Sequence, residues 1–262
     1  MTSEIAAESG LAWGLKSGEQ PREILRGLPE TEVEMFSVII LAAGASLRMG
    51  GVNKQLSEIG GVPVFVLSAL KFDRCEKTAE IIIAAPEEFC GDYREFAERF
   101  GVKKLKSVVC GGRTRFESVK NALSAVDKSC GFIAVHDGAR PLIDTADIER
   151  VFADAERFGA AIAACRAVDT VKVVDESGFI VNTPPRENLW YAQTPQAFRR
   201  DLFEHCAEKI GENEVTDDAS VLELCGERVK ITEISSCNMK ITRPDDLAAA
   251  RAVFGERKLR VD

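Results

Sequence analysis

Histidine is almost absent from this chain of 262 residues: only His136 and His205 occur, far apart and without a neighbouring cysteine or histidine. That argues against a structural zinc site, which draws several such ligands together at short spacing. The eight cysteines contain no C-x-x-C pair, and the chain is long enough to fold without disulfide staples, so they read as reduced thiols. Basic residues are outnumbered, 34 Lys and Arg against 42 Asp and Glu, giving a formal net charge of -8. Nucleic-acid binding rests on clustered positive charge, so a nucleic-acid partner is not expected. No apolar run approaches the roughly 20 residues that span a bilayer, and the first 35 residues lack the apolar stretch of a signal peptide. A cytoplasmic location with no membrane contact is the expectation.

What the chain does have is 45% hydrophobic residues, enough for one substantial core. Residues 1–35 are polar, without sustained periodicity, and read as a poorly structured N-terminal extension. From Phe36 the text alternates. A β-branched run, Ser37-Val-Ile-Ile-Leu41, meets a glycine-rich turn and an amphipathic stretch over 62–72. Strand-like segments at 80–85, 106–110 and 131–136 are separated by helical patterns at 87–100 and 115–126, and a further helix begins near Thr145. This rhythm predicts an α/β fold, a mostly parallel sheet with helices on both faces. Residues 170–184 break it: apolar runs at 171–174 and 179–181 flank Asp175-Glu-Ser-Gly178, a hairpin turn. Such a hairpin is marginal alone and needs a surface to pack on, for which a partner subunit is one candidate. Helices are predicted over 195–209, over 217–225 with Thr216 as cap, and from Arg243 to about Phe254, with a short strand at 229–233.

The loop from Leu41 to Gly51 follows a buried strand and holds three glycines within eight residues, which lets backbone approach a phosphate closely. It is neither a P-loop nor a G-x-G-x-x-G turn, so ATPase and dinucleotide dehydrogenase readings lose support. Arg48 and Lys54 place two cations in or beside it. A second glycine-rich turn opens at Gly111-Gly112. Asp137 and Arg140 stand just past a strand's carboxyl end, where ligands of open α/β sheets bind. His136 reads as a strand-end structural residue, and Trp190 and Tyr191 as packing residues of the core or a subunit contact.

Six ordered segments together resemble the 2-C-methyl-D-erythritol 4-phosphate cytidylyltransferase family over about 36–255. They are Leu41-Ala-Ala-Gly44 with Arg48-Met49 and Lys54-Gln55, the run 111–119, His136-Asp-Gly-Ala-Arg-Pro141, Gln193-Thr-Pro-Gln196, Thr216-Asp-Asp-Ala-Ser220 and Lys240-Ile-Thr-Arg-Pro-Asp-Asp-Leu247. The resemblance implies a Rossmann-like domain over 36–257 with 170–184 as a projecting arm. It implies CTP and a small sugar-alcohol phosphate as substrates, Mg2+ held mainly by CTP phosphates, and a homodimer whose arm completes the partner's site. By similarity Ala42, Ala43, Gly44, Gly112 and Ser118 match cytidine-binding positions, and Arg48 and Lys54 match the cations on the triphosphate. Asp137, Arg140, Thr170, Arg186, Thr194, Thr216 and Lys240 match positions around the acceptor and the reacting phosphates, with Thr170, Arg186 and Thr194 coming from the partner. Arg48, Lys54, Arg186 and Lys240 are the expected catalytic cations. Ser46 replaces a second loop glycine found in many relatives, and Arg113 adds charge near the expected ribose. The rival readings are a ribitol-5-phosphate cytidylyltransferase, against which Ala43, Gly138 and Ala139, with Arg243-Pro244, speak, and a non-catalytic nucleotide-binding protein of the same fold.

Overall fold

Apolar side chains alternate along the first strand, and the sheet divides its core accordingly. Phe36, Val38 and Ile40 of β1 (Phe36–Leu41) face one buried cluster, while Ile39 and Leu41 face another. In the computed structural model, which describes residues 34–44, 53–210, 215–234 and 237–259, these clusters lie on opposite faces of one seven-stranded sheet. The N-terminal segment 1–33 and most of the first glycine loop, with Arg48 and Ser46, lie outside the described residues.

A two-residue hairpin, β2 (Glu58–Ile59) and β3 (Val62–Pro63), leads into α1 (Val64–Asp73). Then come β4 (Thr78–Ala85), α2 (Cys90–Arg99), β5 (Leu105–Cys110), α3 (Arg115–Leu123), β6 (Phe132–Asp137), α4 (Thr145–Phe158) and β7 (Ala160–Arg166). The arm contributes β8 (Val173–Val174) and β9 (Ile180–Asn182). The chain returns through β10 (Trp190–Arg199), α5 (Arg200–Ile210), α6 (Ala219–Leu224), β11 (Lys230–Glu233) and α7 (Pro244–Leu259). Helices α1, α2 and α4 cover one face with Phe65, Phe72, Tyr93 and Phe152, and α3, α5 and α6 cover the other with Phe116, Phe203 and Leu222.

Strand order is β11-β7-β10-β6-β1-β4-β5. The β1, β4, β5 and β6 pairings are parallel, and β10 runs antiparallel between β6 and β7. The chain steps from β1 to β4 and β5 on one side, then returns to β6 on the other. That reversal opens a crevice at the carboxyl ends, where Leu41, Ala84 and Asp137 stand in register.

Two local expectations are corrected. Residues 195–199 belong to β10, not to a helix, and the helix begins only at Arg200; Gln196 to Arg199 meet Val135 to Phe132 on one side, and Gln196 to Phe198 meet Ile162 to Ala160 on the other, a pairing no local pattern encodes. The residue that caps α6 is Asp218, not Thr216, and it makes no side-chain cap bond; the first-turn Ser220 N–H is accepted instead by the Asp217 carboxylate at 3.1 Å, and Thr216 is exposed.

The arm turns on Asp175, whose carboxylate accepts the N–H groups of Ser177 and Phe179 at 3.0 and 2.9 Å. It carries apolar side chains into solvent: Phe179 is 73% exposed and Ile180 62%, with Val173, Val174 and Val181 beside them. At its base the Arg166 guanidinium sits 4.3 Å from the centre of the Trp190 ring, and Tyr191 is exposed.

Candidate active site

Glycine is needed at the second turn because the first loop presses on it. A Cβ at Gly111 would collide with the Ala43 Cβ and lie 3.2 Å from Ser118 Oγ. The turn is held from within: Gly112 N–H donates to Ser118 Oγ at 3.0 Å, and that hydroxyl donates to Thr114 O at 3.0 Å. The Thr114 side chain caps α3 by accepting the Glu117 N–H. Ala42 N–H is committed to Ala84 O, and its carbonyl accepts from the buried Tyr93 hydroxyl at 3.4 Å. Ala42 therefore supports the loop through its backbone, while Ala43 is half-buried and Gly44 exposed. Lys54 lies in the turn just after the first loop, beside Gln55. Gln55 is 3% exposed, and its Oε1 lies 2.9 Å from where a Cβ would stand on Gly138.

The charged centre is Asp137, the last residue of β6. Lys240 Nζ lies 2.8 Å from Oδ2, Arg140 Nε 3.4 Å from the same oxygen, and Arg115 Nε 3.7 Å from Oδ1. Burial alone would raise this carboxyl's pKa, but Lys240, Arg115 and Arg140 hold it well below the usual carboxylate range. Asp137 is therefore ionised at any working pH. Lys240 retains further donors beyond that contact, and its side chain is 37% exposed toward solvent. Arg140 also donates through Nη1 to Asn238 O at 2.7 Å, which ties β6 to the segment leading to Lys240.

Thr194 is placed differently from the expectation that it serves a partner's site. It is 4% exposed, and its hydroxyl accepts the Asp137 N–H at 3.0 Å and meets His136 Nδ1 at 3.0 Å. His136 Nε2 faces the Arg140 carbonyl at 3.2 Å, so Nε2 carries the proton and Nδ1 accepts from Thr194. Burial lowers the His136 pKa to about 4, in keeping with a neutral ring. His136 is thus a structural residue: it and Thr194 fix the end of β6 from within the same chain.

Thr170 and Arg186 do not join this cluster within the chain. Both are exposed in the arm region, where Arg186 Nη1 donates to Val168 O at 2.8 Å. Thr216 is exposed beside the acidic pair that follows it.

Sequence reasoning passed over Arg115. Its guanidinium grips both oxygens of Asp218 at 2.7 Å and faces Asp137, with Asp218 fully buried. Gln196 extends the network, donating to Asp217 Oδ2 at 2.8 Å and accepting the Ala219 N–H at 2.9 Å. The signal was present in the Gly-Gly-x-x-Arg spacing, but the partner lies 103 residues away.

The reversal of strand order, with the crevice it opens at the carboxyl ends and the cation-ringed Asp137 at its edge, gives the chain a Rossmann-like α/β fold of the nucleotidyltransferase kind. Comparison with known proteins narrows this. The IspD family, 2-C-methyl-D-erythritol 4-phosphate cytidylyltransferase, matches residues 36–256, and the chain belongs to it. The enzyme of that name from Pelotomaculum thermopropionicum is 39% identical over 236 residues, covering 87% of this chain and 98% of the relative. The one from Halalkalibacterium halodurans is 38% identical, with 86% and 99% covered. Among solved structures, 4-diphosphocytidyl-2C-methyl-D-erythritol synthase from Anaerococcus prevotii superposes with a TM-score of 0.76 at 29% identity, covering 86% of this chain and all of that one. The Francisella tularensis enzyme superposes at 0.70 with 33% identity, covering 83% and 98%.

Proposed function

We propose that the chain transfers CMP from CTP to 2-C-methyl-D-erythritol 4-phosphate, giving 4-diphosphocytidyl-2-C-methyl-D-erythritol and pyrophosphate, in the non-mevalonate route to isoprenoids. The observation that carries the reading is Asp137 at the carboxyl edge, held ionised by Lys240, Arg115 and Arg140 beside the two glycine turns. An oxygen of the acceptor's phosphate attacks the α-phosphorus of CTP, and the bond to the bridging oxygen breaks as pyrophosphate leaves. The nucleophile is already anionic, so no general base is required. What the protein supplies is alignment and cancellation of charge between two anions. Ala43, Gly44, Gly112 and Ser118 border the base and ribose. Arg48 and Lys54 take the triphosphate, Lys240 the reacting phosphates, and Asp137, Arg140 and Thr216 the acceptor.

Mg2+ enters with the nucleotide. Among the described residues no group of three His, Cys, Asp or Glu side chains is arranged to hold a metal ion, and the Asp137 carboxylate is already surrounded by cations. That donor set suits an ion carried mainly by triphosphate oxygens, which adds positive charge to the phosphates when bound.

Residues 36–257 form the cytidylyltransferase domain, and a homodimer accounts for the arm, whose apolar side chains have no cover among the described residues. In that assembly Thr170 and Arg186 reach the neighbouring subunit's acceptor. The enzyme works in the cytoplasm; among the described residues no helix is long and apolar enough to cross a membrane. Mass spectrometry of a reaction containing CTP, Mg2+ and the methylerythritol phosphate tests the chemistry. A product carrying CMP on the acceptor phosphate is expected, and its absence with a fully folded protein would overturn the assignment.

A further inference from the structure

Two cysteines meet at the nucleotide pocket in a way no part of the transfer reaction uses. Cys90 opens α2 and Cys110 closes β5, and their sulfurs are 3.6 Å apart. A disulfide needs about 2.05 Å, so the thiols are in contact and one short closing movement from a bond. Cys110 is exposed and Cys90 half-buried, so an oxidant reaches Cys110 first. Burial, then the neighbouring Cys110 thiol, push the Cys90 thiol up to about 11. Cys90 is thereby the slower nucleophile, suited to the second step.

Each cysteine is joined to one wall of the pocket. Cys110 immediately precedes Gly111, where the backbone is pressed against Ala43. Cys90 lies one helical turn before Tyr93, whose hydroxyl reaches Ala42 O and accepts from Asn53 Nδ2 at 3.4 Å each. A bond between them would tie the support of the first loop to the second turn. We infer that Cys90 and Cys110 form an oxidation site, closing to a disulfide under hydrogen peroxide and thereby weakening use of CTP; the functional half of this rests on the nucleotide-pocket reading above.

The chemistry balances without another reactant. The Cys110 thiolate attacks one peroxide oxygen, the O–O bond breaks, and hydroxide leaves and takes a proton as water, giving a sulfenic acid. Cys90 sulfur then attacks Cys110 sulfur and displaces hydroxide, which takes the Cys90 proton as a second water. The two thiols lose two electrons, and the peroxide gains them. A dithiol reverses the bond by exchange.

The test treats the full chain with hydrogen peroxide and maps disulfides by peptide mass, alongside CTP kinetics. The expected result is a Cys90–Cys110 link, a fall of about tenfold or more in kcat/KM for CTP, the order that a displacement near 1 Å commands, and recovery on reduction with dithiothreitol. Cys90→Ser should keep its activity when reduced and accumulate a Cys110 sulfenic acid that dimedone captures. Oxidation elsewhere with no Cys90–Cys110 link would overturn the site, and a link that leaves CTP kinetics unchanged would overturn the coupling. A protein inactive before oxidation would count against the transferase reading instead, and the peptide map would still decide the thiol pair.

Discussion

Replacing Arg115 by methionine removes the guanidinium that holds Asp218, a carboxylate that is 1% exposed and gripped at 2.7 Å through both oxygens. Stripping one partner from a buried pair costs about 3–5 kcal/mol, and because the Arg115 side chain is 31% exposed we take the lower end, about 3 kcal/mol. For a domain of this size each kcal/mol moves Tm by about 2–4 °C, so a fall of roughly 6–12 °C is expected. The pH dependence follows from the same geometry. Burial pushes the Asp218 carboxyl above its ordinary value, and Arg115 pulls against that push. Without Arg115 the upward push stands alone, so the folded state favours protonated Asp218 more than the unfolded state does. The variant's deficit is then smallest below the unfolded carboxyl pKa near 4, grows as pH rises through the raised folded value, and is complete above it. Thermal melts followed by circular dichroism from pH 4 to 8, with Arg115→Lys as an intermediate case, measure this. A Tm within about 2 °C of the parent at neutral pH, or a deficit that deepens on acidification, would refute the reasoning.

Burial lowers the His136 pKa to about 4 against about 6.5 unfolded, so stability should drain away as pH falls from 6.5 toward 4, by about 3 kcal/mol in all; urea unfolding across that range checks it, and His136→Gln should flatten the slope. Gly111→Ala drives a methyl group into Ala43 and should lower CTP affinity about tenfold, the scale of overpacking strain, with Ala43→Gly in the same chain restoring binding measured by calorimetry. Ile180→Asp on the exposed arm should shift sedimentation from dimer to monomer. Mixing inactive Arg186→Ala and Lys54→Ala proteins should recover activity if sites are shared between subunits.

The parallel core was legible because its strands are continuous β-branched runs, Val38 to Ile40 and Ile81 to Ile83, set between glycine turns and helical segments. The site's first ring of residues was legible because Asp137, Arg140 and Lys240 lie in short ordered motifs. β10 was not legible: Pro195 to Arg199 runs without a break into the periodicity of α5, and only the neighbours β6 and β7 make it a strand. β7, an alanine-rich Ala160–Arg166, has little strand propensity of its own and depends on the same pairing. Thr194 could be matched to a motif, but its direction inward to His136 depends on tertiary contact. Arg115 was hidden by the sequence distance to Asp218.

The most direct test of the central claim is pyrophosphate release from CTP and Mg2+ with 2-C-methyl-D-erythritol 4-phosphate and, in parallel, with ribitol 5-phosphate. Release with the first acceptor alone is the predicted result. Release with ribitol 5-phosphate alone would contradict the acceptor assignment, and silence with both would contradict the transferase assignment itself.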